Sequence, residues 1–162
     1  MAGPAMRRLW YGGTIQGAGA PQRKRESIDM AVIWLLSLAA AIEAATGLAL
    51  IVSPQAVSQL LLGADLAGAG IAVGRVAGAA LLSFGLVCWM SRRSLDKSPA
   101  LVGLLTYNLL VAAYLICLRF GGEFAGILLS PTIVLHAVFS LLLAYACFDD
   151  RRAKRQRNEM ER

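Results

Sequence analysis

Four long apolar runs, separated by short polar stretches, set the pattern of this chain: residues 30–52, 69–90, 99–118 and 125–148. At 1.5 Å per residue a helix of about 20 residues crosses a hydrocarbon core of roughly 30 Å, so each run is long enough to span a bilayer. The pattern predicts an all-α fold, an integral membrane four-helix bundle. Between the first two runs, Ser53-Pro54 reads as an N-cap followed by proline at the first helical position. Val57, Leu60 and Leu61 then form a one-sided stripe, and Gly63 is placed to end the turn. These residues predict a short helix over 54–62 lying at the membrane surface. Pro99 opens the third run, Gly121-Gly122 sits in a tight turn over 119–123, and Pro131 lies near the start of the fourth run.

The flanks are a different material. Residues 1–28 are rich in Gly, Ala, Pro and Gln and carry Arg7, Arg8, Arg23, Lys24 and Arg25. Such a segment reads as a disordered basic cytosolic tail. Residues 29–148 form the membrane domain, and 149–162 a second basic cytosolic tail. Arg7-Arg8 resembles a twin-arginine signal only weakly, since the following apolar run is too long for a signal-peptide core and no clean cleavage site follows it. Met6 and Met30, the latter immediately before the first apolar run, are alternative positions for the start of translation.

Composition agrees with the pattern. The chain is 57% hydrophobic and 16% charged, against roughly 45–50% and 25% for a soluble domain. Placement of charge says more than the net value of +6. Of the 16 Lys and Arg residues, all but Arg75 and Arg119 fall in the N-terminal tail, in the loop between the second and third runs (Arg92, Arg93, Lys97) or in the C-terminal tail. The positive-inside rule then puts both termini in the cytoplasm, with an even number of spans. Trp34 and Trp89 lie toward the cytoplasmic ends of their runs, as interfacial anchors do. The basic tails read as contacts with anionic lipid, not nucleic acid. The three cysteines, Cys88, Cys117 and Cys147, fit neither a zinc nor a redox spacing.

Each run carries strongly polar residues: Glu43 in the first, Arg75 in the second, Tyr107 and Asn108 in the third, and His136, the only histidine, in the fourth. Counting from the outer end of each run places Glu43, Arg75, Asn108 and His136 about 9–17 Å deep, in one stratum. That predicts a buried polar layer, with Glu43 and Arg75 as a charge pair and Tyr107, Asn108 and His136 supplying further hydrogen bonds. Ionisable groups at such depth are candidates for a ligand or proton site, and equally for a polar clasp that fixes helix register. A single histidine excludes a bis-histidine haem within one protomer. No catalytic arrangement, cofactor motif or metal-ligand pattern is present in the sequence, which reads as non-enzymatic. Gly70, Gly74 and Gly78 recur every four residues and predict a close helix-packing face, within the bundle, in a homo-oligomer or against another membrane protein.

The stretches GLALIVSPQAVSQLLLG, GRVAGAALLSFGLVCW, LTYNLLVAAYL and LLSPTIVLHAVFSLLLA resemble a widespread group of bacterial four-span inner-membrane proteins of unknown function. The resemblance covers residues 38–145 and implies a four-helix bundle; it implies no activity or substrate. AIEAATGLAL is loosely similar to the first span of small multidrug-resistance transporters. Those assemble as antiparallel pairs, which needs a weak Lys/Arg bias, and they leave the glutamate free for cations. The strong bias here and Arg75 both depart from that pattern. The sequence therefore predicts a structural or accessory membrane protein working through helix contacts, with a small proton-coupled transporter or ligand-binding protein using the polar layer as the alternative.

Overall fold

The computed structural model describes residues 19–94 and 98–160. All the elements are helices: α1 (Gly19–Val52), α2 (Pro54–Leu62), α3 (Ala69–Ser91), α4 (Ser98–Gly121) and α5 (Leu129–Met160). Four of them, α1, α3, α4 and α5, are long and apolar enough to cross a membrane. The chain divides between residues 32 and 33 into two units. Within the first, residues 19–32 are the beginning of α1. The second holds the rest of α1 and the other helices.

Several boundaries differ from the sequence expectation: α4 continues past residue 118 to Gly121, and α5 begins at Leu129 and not at 125, so 125–128 belong to the turn. Residues 1–18 lie outside the described residues, but 19–28 belong to α1 and are helical. At the other end α5 continues past residue 148 to Met160. Lys154 and Asp150 (3.3 Å) and Arg155 and Glu159 (3.1 Å) pair at i,i+4 spacing there. Such pairs add about 0.2–0.5 kcal/mol each to an exposed helix.

The core of the second unit is aliphatic and follows helical spacing. Leu36, Ala39 and Ala40 of α1, Leu101, Leu104 and Leu115 of α4, and Leu129, Phe139 and Leu143 of α5 are buried. α4 and α5 pack along each other far more extensively than α3 packs on α4. α3 is instead joined to α1 through small residues. A Cβ at Gly47 would fall 2.6 Å from the Gly78 carbonyl oxygen, and one at Gly85 would fall 2.9 Å from the Ala40 carbonyl oxygen. Backbone therefore comes against backbone along this seam, which only small residues permit. Gly78 is the one member of the expected glycine ladder that belongs to the seam. Gly74 instead faces Pro54 of α2, and Gly70 faces Leu66 in the α2–α3 loop.

α2 has the expected bounds, but its start and its inward face differ in detail. The Ser53 side chain makes no capping hydrogen bond; the Ser53 backbone N–H donates to the Ala49 carbonyl, continuing from α1 (2.8 Å). Pro54 and Ser58 are buried while Leu60 is exposed, so the inward face runs through Pro54, Val57, Ser58 and Leu61. Gly63 closes the helix in the left-handed region (φ 71°), and its N–H donates to the Gln59 carbonyl (2.9 Å). The turn between α4 and α5 docks on this end. Ala125 N–H donates to the Leu62 carbonyl (3.1 Å) and Leu128 N–H to the Leu60 carbonyl (2.8 Å). Gly126 sits so close that a Cβ would collide with the Leu61 carbonyl group. The last carbonyls of a helix lack intrahelical partners, and this turn supplies them.

Candidate functional site

The structure brings Glu43, Tyr107, Asn108 and His136 together from α1, α4 and α5. Glu43, Asn108 and His136 each occupy a core row of their helices, and half-buried Tyr107 stands beside that row. Glu43 lies seven residues from Leu36, Asn108 four from Leu104, and His136 seven from both Leu129 and Leu143. Glu43, Asn108 and His136 are buried at 4%, 3% and 8% exposure. A polar residue in an apolar row must find partners inside the bundle, because burying it unpaired costs about 1–3 kcal/mol.

Those partners are present. The Asn108 amide Nδ2 donates to the Leu104 carbonyl one turn earlier (2.8 Å), which leaves its Oδ1 facing His136 Nδ1 (2.8 Å). A carbonyl oxygen can only accept, so Nδ1 of His136 carries the proton and donates. In the neutral ring Nε2 then holds the lone pair. The Ser140 hydroxyl donates to the His136 backbone carbonyl (2.8 Å). Tyr107 pairs with the Glu43 carboxyl through its hydroxyl. Its ring packs edge-on against His136 (centroids 5.8 Å apart) and against Phe84 of α3 (5.4 Å). Among the described residues, no buried side-chain nitrogen or oxygen lacks a hydrogen-bond partner.

A cavity of about 10 Å³ remains between Ala39, Ile42, Glu43, Asn108, Leu135, His136 and Phe139. That is the space of roughly one water molecule, and three of its walls offer polar groups, as a buried water requires. No group of three or more His, Cys, Asp or Glu side chains stands close enough to hold a metal ion among the described residues. Cys88 and Cys147 are buried and Cys117 is exposed, all as free thiols.

Arg75 does not join this cluster. Its side chain is exposed, flanked by exposed Val73 and Val76, and it forms no ion pair with Glu43. The seam explains why. Gly47 meets residues 78–82 of α3 and Gly85 meets residues 40–44 of α1, so the two helices run antiparallel in that register. Glu43 is then level with about residue 84, where Phe84 stands against Tyr107. Arg75 is level with about residue 52, about 13 Å further along the axis. Azimuth separates them as well. Ala40, Ala44 and Gly47 face α3, which turns Glu43 on the neighbouring flank toward α4 and α5. Counting depth from span ends missed both displacements; the stripe Ala40, Ala44, Gly47 was the available signal. Gly85, seven residues after Gly78, was the corresponding signal on α3.

Comparison with protein-family models, with curated proteins and with solved structures found no match.

Proposed function

We propose that this chain is a small, non-enzymatic multi-pass protein of the bacterial inner membrane, of the four-span group that it resembles. It acts as a structural or accessory partner through its helix faces, with its termini in the cytoplasm and α2 at the outer surface. In this reading Glu43, Tyr107, Asn108 and His136 form a polar clasp that fixes the register of α1, α4 and α5. The observation that carries the reading is closure: the buried polar atoms are partnered, and the space beside them is about 10 Å³, too small for any substrate larger than water. A transport or ligand site would need a larger, convergent cavity.

One observation favours the transporter reading instead. Tyr107 also walls an open groove of about 550 Å³ between α3 and α4, with Phe84, Gly103, Thr106 and Leu110. Tyr107 thus touches the clasp on one side and an accessible face on the other. The double substitution Asn108→Leu with His136→Leu separates the two readings, assayed by thermal stability in detergent and by complementation of a deletion strain. A clasp predicts a stable, complementing double variant. A stable variant that fails to complement would select the proton-coupled reading.

A further inference from the structure

A groove of about 550 Å³ opens between α1 and α3 on the side away from α2. Ala40, Ala41 and Ala44 line one wall; Leu82, Leu86 and Trp89 line the other, with Gly85 on the floor. Its volume lies in the range of small-ligand sites, roughly 300–1,000 Å³. Its one hydroxyl, Ser83, is turned back onto the Ala79 carbonyl (2.8 Å), which leaves the walls apolar. The groove ends beneath Trp89, and the Arg92 guanidinium lies 3.4 Å from the centroid of that ring. Arg92 is fixed there by a second contact, Nη1 donating to the Trp89 carbonyl (2.6 Å). An arginine has five N–H donors, and among the described residues no other partner engages this one. Its remaining donors match a phosphate bidentately.

We infer that this groove binds one acyl chain of an anionic phospholipid, with Arg92 holding the phosphate at its mouth. The inference rests on the membrane reading above. An apolar trough ending under an aromatic ring that carries a fixed cation matches a molecule with an apolar tail and an anionic head. A helix would supply an apolar face for the trough but no anionic group for the free donors of Arg92 at its mouth.

The test uses the full chain, extracted from carbonate-washed membranes in mild detergent. Native mass spectrometry then follows titration with phosphatidylglycerol or phosphatidylcholine. The expected result is one retained phosphatidylglycerol per chain, in preference to phosphatidylcholine. Arg92→Gln should weaken phosphatidylglycerol retention about tenfold, the effect of losing one charged hydrogen bond. Arg93→Gln, which removes the same charge one residue on, should change it less than twofold, because a screened, exposed charge contributes little. Ala41→Phe, at an exposed wall position, should abolish retention of both lipids. Unchanged helical circular dichroism and elution volume would confirm that each variant is folded. Equal losses for Arg92→Gln and Arg93→Gln would overturn the proposal in favour of diffuse attraction to a basic surface. Undiminished retention in Ala41→Phe would overturn it in favour of bulk lipid, and a lipid-free dimer broken by Ala41→Phe would do so in favour of a second copy. Release of the protein by the carbonate wash would refute the membrane reading itself, before any lipid is added.

Discussion

α1 is held on two sides by opposite means. Toward α3 it presents Ala40, Ala44 and Gly47, and the two backbones touch. Toward α4 and α5 it presents Glu43, and the contact is made by side chains that exchange hydrogen bonds. The first joint depends on what is missing, since any added carbon collides with main chain that cannot yield. The second depends on what is present, since each polar group needs its partner. The seam should therefore fail when enlarged, and the junction when simplified on one side only. Inside a bilayer there is little hydrophobic drive between helices, so close packing and hydrogen bonding carry the assembly.

The sharpest way to break this contrast is to enlarge the seam. Gly78→Leu places a side chain against the Gly47 carbonyl, 2.6 Å from where its Cβ would stand. It should cost about 3 kcal/mol or more, near the upper end for overpacking. Fluorescence-detected gel filtration should show loss of the monodisperse peak; a variant with wild-type elution and melting temperature would mean that α1 and α3 do not touch there.

Simplifying the junction comes next in size. Asn108→Leu leaves His136 Nδ1–H without an acceptor and should cost about 1–3 kcal/mol. In the double variant with His136→Leu, part of that loss should return, giving a coupling of about 0.6–1.7 kcal/mol in a thermal or denaturant cycle. Strict additivity would show that the 2.8 Å contact between these side chains carries no energy.

Glu43→Gln keeps the shape and an acceptor for the Tyr107 hydroxyl, so its cost should be about 1 kcal/mol, the net worth of one hydrogen bond. Arg75→Gln is the smallest and most diagnostic case. With the guanidinium exposed and remote from Glu43, it should move stability by no more than about 0.5 kcal/mol. The cycle between Arg75→Gln and Glu43→Gln should show no coupling; a coupling of 1 kcal/mol or more would restore the charge pair and break the register derived from the glycines.

The helices were legible because a long apolar run with proline and glycine punctuation has few other readings. α2 was read from Pro54 and Gly63, whose backbone demands are local. The polar residues on α1, α4 and α5 were visible as interruptions of apolar rows. Arg75 was misplaced because depth measured from run ends ignores both the stagger of neighbouring helices and the direction in which a side chain points. Those two quantities come from pair packing, and Gly47 and Gly85 carried them in plain view. The extension of α5 was missed although the spacing Asp150, Lys154 and Arg155, Glu159 was there to read. Gly126 could not have been found, since its need for a bare Cα arises only when the α4–α5 turn meets Leu61.

That last contact has a consequence for the order in which the molecule is built. The carbonyls of Leu60 and Leu62 belong to the first half of the chain, and the N–H groups of Leu128 and Ala125 that satisfy them lie in the second. A ribosome releases the first half earlier. Until the final hairpin arrives, the end of α2 stands with acceptors unsatisfied and the bed for Gly126 empty. The turn that follows α4 thus completes the end of α2, which precedes it in the chain by two long helices. A nascent chain stalled before residue 125 would thus present the end of α2 without these two donors.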